Sequence, residues 1–137
     1  MIRVVIDTNV IISAFINPAG APGRIKELMY SGTIIPVITP NIFSEINRVL
    51  NYTKFNFAAA EKWEILKFLS GHVEVYNGIK FTINNVPKDD LKFVYATKQF
   101  DADCLVTGNI KHFTAVSNVI KVITPAEFIK HYEATAT

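Results

Sequence analysis

Close to its start the chain runs Arg3-Val4-Val5-Ile6-Asp7-Thr8-Asn9-Val10, an apolar β-type stretch that stops on a carboxylate. An unbroken Val/Ile run is the pattern of a strand covered on both faces, as in a parallel sheet between helices. Asp7 then falls where that strand leaves the sheet. In open α/β sheets, ligands bind outside the carboxyl ends of the strands. Two readings fit this position. Asp7 or Asn9 can cap the next helix, a common task for Asp and Asn. Alternatively, Asp7 anchors a cluster of acids that holds a divalent metal.

The rest of the chain alternates in the same way. Asn17 to Gly23 is rich in Pro and Gly and reads as a binding or lid loop. Ile25, Leu28 and Met29 give the buried stripe of a helix that Ser31-Gly32 ends, and Thr33 to Ile38 is a second buried-type strand. Thr39 as N-cap and Pro40 at the first helical position open a helix whose stripe is Ile42, Ile46, Val49 and Leu50. Phe55 to Leu69 reads as another helix or pair, with Trp63, Leu66 and Leu69 as core. Val73/Val75 and Ile79/Phe81/Ile83 alternate as short strands. Lys88-Asp89-Asp90 opens a helix carrying Leu91, Val94 and Tyr95. Asp103 to Asn109 is the next buried strand and Val119 to Ile123 the last. Thr124-Pro125-Ala126-Glu127 is a capping box for the closing helix. This is a βαβ chain with a parallel sheet and right-handed crossovers.

At 137 residues the chain has the size of one domain, 1–137, with one core. Half of its residues are hydrophobic and 19% are charged, too apolar a balance for a disordered chain. No apolar run approaches the roughly 18 residues of a membrane span. Asp7 and Asn9 interrupt the first apolar stretch too early for a secretory leader. Cys104, alone in an apolar run, excludes a disulfide framework, and a cytoplasmic location is expected. The net charge of +2 gives no whole-protein field for gripping nucleic acid, although acids gathered in a site leave the remaining surface more basic.

Four polar points fall at one end of the expected sheet: Asp7, Glu45, Asp90, and Thr107 with Asn109. Glu45 follows a strand by one helical turn and can lean over the same edge as Asp7. Of the adjacent acids, Asp90 is expected in the site, with Asp89 as cap or supporting partner. Carboxylates gathered at one edge repel one another, and a hard dication removes the conflict. Oxygen donors without paired Cys or His suit Mg²⁺ or Mn²⁺ and not zinc. Such an ion activates water and stabilises a phosphodiester under attack. The expected substrate is a nucleic-acid strand.

These residues resemble the PIN-domain ribonucleases, in particular the branch known as toxins of toxin-antitoxin modules. The resemblance runs through Val5 to Ala14, Ser44 to Leu50, Pro87 to Asp90 and Asp101 to Asn109. It implies a Rossmann-like parallel sheet of about five strands flanked by helices and RNA cleavage with Mg²⁺ or Mn²⁺. It also implies a small antitoxin partner and a homodimer. By position, Asp7, Glu45 and Asp90 correspond to the metal-binding acids, and Asn9 and Thr107 to polar supports. The chain departs from the family in carrying Asn109 where a fourth acid is usual, and Asp101 where a Gly is usual before Ala-Asp.

Two function classes follow, and a third is set aside. The first is a metal-dependent endoribonuclease, with Arg24, Lys54, Lys92, Lys111 and His112 as candidate guides for RNA phosphates. The second is an RNA-binding or partner-binding module that kept the fold and lost full activity, motivated by Asn109. A phospho-acceptor domain fits poorly. The chain has Thr124-Pro125 where a Lys-Pro step is wanted, and only Asp7 where paired acids follow the first strand.

Overall fold

The computed structural model describes residues 2–75 and 82–136. The elements are β1 (Ile2–Ile6), α1 (Thr8–Ile16), α2 (Ala21–Tyr30), β2 (Ile34–Pro36), α3 (Pro40–Leu50), α4 (Ala59–Ser70), α5 (Leu91–Gln99), β3 (Cys104–Val106), β4 (Val122–Ile123) and α6 (Pro125–Ala136). Turns of 3₁₀ helix occupy Thr53–Phe55, Lys88–Asp90 and Ile110–Val116.

The strands form one parallel sheet in the order β2-β1-β3-β4. The expected α/β architecture is therefore present, with four strands among the described residues instead of about five. The Val73/Val75 strand shrinks to one parallel bridge between Val73 and Ile38. Val75 points to solvent, 73% exposed, so no core rewards a longer strand there. Ile83 packs on the core outside any strand, whereas Ile79 and Phe81 lie outside the described residues. The chain leaves β1 toward β2 on one side and returns to β3 on the other. The strand order thus reverses between β1 and β3, where an open α/β sheet forms its binding crevice.

The central strands are the unbroken apolar runs that the sequence showed. Val4, Val5, Ile6, Cys104, Leu105 and Val106 are all buried. Each buried Val, Ile or Leu among them stabilises the fold by about 1.5–3 kcal/mol relative to exposure. Helices α1, α3 and α5 bring Ile11, Ile46, Phe93 and Val94 onto the sheet. Along α4 the buried pair is Ile65 and Leu69, four residues apart. Trp63, expected in the core, sits off that stripe and is 62% exposed.

One local correction and one local detail have clear causes. The Asn17–Gly23 stretch is a tight corner and not a lid. Helix α2 already starts at Ala21, and Gly23 is buried against the preceding loop. A Cβ at Gly23 would lie 2.1 Å from the Pro18 carbonyl oxygen, so only glycine fits. Asp101 has φ 51°, in the left-handed region. The Ala102 N–H bonds the Thr97 carbonyl (3.0 Å) and the Asp101 N–H the Lys98 carbonyl (3.3 Å). This is the Schellman ending of α5, a position glycine usually fills and Asp tolerates.

Candidate metal centre

Asp7 is the most constrained acid of the cluster. Its backbone N–H continues the sheet by bonding the Val106 carbonyl at 2.9 Å. The residue occupies the N-cap position of α1 but makes no regular capping bond. Instead its Oδ2 accepts a hydrogen bond from Thr107 Oγ1 at 2.7 Å. Thr107 is fully buried at the end of β3 and in turn accepts from the Asn109 N–H at 3.0 Å. A carboxylate is thus held at the switch point by a relay that needs the Asn109 backbone and not its side chain. Burial pushes the Asp7 carboxyl above its ordinary value of 3.8. The Thr107 hydroxyl and the Asn9 backbone N–H pull it partly back, and the charges of Asp90 and Glu45 push it up again.

Glu45 reaches the same edge from the second turn of α3. Its Oε2 accepts from the Thr8 hydroxyl, so the residue after Asp7 orients the second acid. Its Oε1 faces Lys92 Nζ at 2.9 Å and Arg48 at 3.7 Å. The Glu45 and Lys92 side chains are only 14% and 15% exposed, an internal ion pair, while Arg48 is largely in solvent. Lys92 Nζ also donates to the Asp89 carbonyl.

Asp90 starts α5. Its Oδ2 lies 3.0 Å from His112 Nδ1, and its side chain is 18% exposed. His112 is held in place by its N–H to the Asn109 carbonyl, 3.0 Å. Neither of the adjacent acids forms the expected helix cap. Asp90 holds the N-cap position of α5 without a side-chain capping bond, and Asp89 is exposed at the cleft wall.

Asp7, Thr8, Asn9, Glu45, Asp89, Asp90, Asn109 and His112 line one cleft of about 290 Å³. Of the five candidate RNA guides, Lys54 and His112 are on its wall. Lys92 is committed to Glu45 and lines the adjoining hollow with Arg48. Arg24 is engaged elsewhere, by Glu27 at 2.9 Å and Glu133 at 3.6 Å, because α2 turns it toward α6. Lys111 is exposed on the 3₁₀ turn and outside the cleft wall. A larger hollow of about 460 Å³ between α1, α2 and α4 contains none of the expected site residues.

Sequence reasoning missed Thr8, the Lys92–Glu45 pair and the aromatic wall of the cleft. That wall carries Tyr52 and Phe55, with Val49 and Phe93. The signal for Tyr52 was present: Glu45, Val49 and Tyr52 follow one another at i, i+4 and i+7 along α3 and the turn just beyond it.

The donor set suits a hard dication. Every acid in the cleft offers oxygen, and Asp7 is buried in an unfavourable field of like charge. Among the described residues no three His, Cys, Asp or Glu side chains form a ready-made coordination group. Glu45 is turned to Lys92 and Asp90 to His112, so those two must exchange partners to ligate with Asp7.

The PIN domain family model matches residues 3–111, a span that contains Asp7, Glu45, Asp90 and Asn109. The chain belongs to the PIN domain family. It is also 36% identical over 143 residues to the uncharacterized protein MJ1680 of Methanocaldococcus jannaschii, covering 96% of this chain and 92% of the relative. The PIN domain is a nuclease-type fold, and the cleft just described occupies its switch point. Among the described residues no helix is long and apolar enough to cross a membrane.

Proposed function

We propose that this PIN domain is a metal-dependent endoribonuclease. The observation that carries the reading is the convergence of Asp7, Glu45 and Asp90, from three separate elements, on one cleft at the strand-order reversal. Asp7, Glu45 and Asp90 would hold Mg²⁺ or Mn²⁺, with Asn9 and Asn109 as neutral oxygen donors nearby. When bound, the dication supplies the positive charge that activates water and stabilises a phosphodiester during hydrolysis.

The chain's own residues have distinct tasks in this reading. Thr107 fixes the orientation of Asp7 through a 2.7 Å hydrogen bond and keeps one oxygen occupied. Thr8 does the same for Glu45, whereas His112 holds Asp90 while the ion is absent. Lys92 offsets the Glu45 charge while the ion is absent. Lys54, on the cleft wall, offers a cation to an RNA phosphate.

The assay is RNA cleavage by purified protein in Mn²⁺, in EDTA, and with Asp7→Asn. Cleavage by the wild type in Mn²⁺ alone supports the reading, and equal cleavage by Asp7→Asn overturns it. The toxin role, with a small antitoxin partner and a homodimer, belongs to the same proposal. Growth arrest on expression of the wild type but not of Asp7→Asn supports the toxin role, and light scattering tests the dimer. Asn109 favours one second reading, a PIN-fold RNA-binding or partner-binding module of weakened activity. It predicts RNA binding without metal-stimulated cleavage.

A further inference from the structure

The cleft has two chemically different halves. One is acidic, with Asp7, Glu45 and Asp90. The other is apolar and aromatic, with Val49, Tyr52 and Phe55, and carries Lys54 at its edge. Small metal-binding clefts need no aromatic half, so the second half calls for its own explanation.

Core packing accounts for only part of it. Phe55 packs against the hydrophobic core, but Tyr52 does not and is 42% exposed. The two rings are nearly parallel, 9° apart in plane, with centroids 6.4 Å apart. Lys54 Nζ lies 5.1 Å from the Phe55 ring centroid. The segment is fixed by its backbone. The Tyr52 N–H bonds the Val49 carbonyl at 3.0 Å, and the Phe55 N–H bonds the Tyr52 carbonyl at 3.1 Å. Asn56, at φ 49°, closes the turn. The backbone that carries both rings is therefore fixed beside the acids before any ligand arrives.

We infer that Tyr52, with Phe55 and Lys54, forms a subsite for an unpaired nucleobase of the RNA strand whose phosphate lies at the acids. The inference rests on the nuclease reading for the identity of the ligand and adds to it a place on this chain where a base is held. A nucleotide is the occupant that presents both a flat apolar face and an anion to be met through a dication. In a duplex both faces of each base are covered by its neighbours, so only an unstacked base reaches Tyr52. Stacking on an aromatic ring is tolerant of base identity, so the subsite selects strandedness more than sequence. Lys54 contributes its charge to the adjoining phosphate.

The test uses the Asp7→Asn protein, so that cleavage does not consume the probe. Binding of a short fluorescent single-stranded RNA in Mg²⁺ is followed by anisotropy, with and without a second substitution at Tyr52. Tyr52→Ala is expected to weaken binding about tenfold, and Tyr52→Phe to keep it. Thermal melts of both variants report that the fold is intact. Lys54→Ala is expected to lower the salt slope of binding by about one. An unchanged affinity in Tyr52→Ala overturns the subsite, as does an equal loss for a blunt RNA duplex. Cleavage by wild type in Mn²⁺ alongside either result leaves the nuclease reading standing. If Asp7→Asn protein binds no single-stranded RNA, the subsite falls as well, and the cleavage assay alone then decides the nuclease reading.

Discussion

Replacing Lys92 by Met removes the largely covered cation that lies 2.9 Å from Glu45. Methionine keeps most of the apolar stem along Phe93 and removes the charge. At 2.9 Å the gross attraction between Lys92 and Glu45 is about 6 kcal/mol at an effective dielectric of about 20. Desolvation of two side chains that are only 15% and 14% exposed opposes most of it. Exposed pairs contribute at most about 1 kcal/mol, and breaking a fully buried pair costs about 3–5 kcal/mol. Glu45 would keep the Thr8 hydroxyl and the more distant Arg48, so it is not left bare. The expected loss in EDTA is therefore about 2 kcal/mol, or about 6 °C in Tm for a domain of this size.

A dication changes the sign of the comparison. In the wild type an incoming ion and Lys92 share Glu45, whereas in Lys92→Met the ion has Glu45 to itself. If the affinity for Mn²⁺ rises about tenfold, saturating Mn²⁺ returns about 1.4 kcal/mol of the deficit. The assay is urea unfolding of both proteins in EDTA and in Mn²⁺, with calorimetry for the affinity. Equal stability of the two proteins in EDTA would refute the ion-pair argument. Equal stabilisation of both by Mn²⁺ would show that Lys92 does not compete for Glu45.

Three further outcomes follow from the same geometry. Asp7→Asn should match or exceed the wild type in thermal stability at neutral pH while losing cleavage. Its folded pKa is raised, so ionised Asp7 opposes folding; the stability of the wild type is lost as pH rises from 3.8 through the folded value, and the gain in the variant should vanish on acidification. A gain that instead grows toward low pH would contradict the assigned direction. Asn109→Asp should tighten Mn²⁺ binding in calorimetry, since it adds a charge at the cleft wall, and an unchanged affinity would mean that the side chain faces away from the ion. Gly23→Ala should destabilise by about 1–3 kcal/mol in urea unfolding, because its methyl group meets the Pro18 backbone, and a neutral result would mean that the corner opens freely.

What could be read in the sequence tracks what is local. The Val4–Ile6 and Cys104–Val106 runs showed a sheet covered on both faces, and helix starts at Pro40 and Pro125 were legible from their Pro residues. The N-cap at Thr124 was equally plain, and its hydroxyl accepts the Glu127 N–H at 3.1 Å. Strand lengths were overestimated, since β2, β3 and β4 end where their pairing partners do, a property of neighbours and not of residues. Trp63 was misplaced because a large apolar residue in a helix reads as core until the stripe on either side is known. The acids that line the cleft stood out because each follows a strand or opens a helix. Their partners were not, because Thr8, Lys92 and His112 become partners only when α3, α5 and the 3₁₀ turn after β3 meet. Asp101, standing where the resemblance leads one to expect glycine, occupies the left-handed position that ends α5.

The three acids differ in how firmly they are held, and this bears on what a neutral Asn109 does to the centre. Asp7 is fixed by the sheet through Val106 and Thr107, whereas Glu45 and Asp90 stand on helix surfaces and are bonded to side chains that can move. A carboxylate at position 109 would add charge beside Thr107, the same corner as Asp7, and raise the repulsion that already pushes Asp7 toward protonation. With asparagine there, the backbone N–H still supports Thr107 while that added repulsion is avoided. Lys92 then balances Glu45 from the opposite side. The cleft therefore holds one acid on the sheet and two on side-chain partners that can exchange.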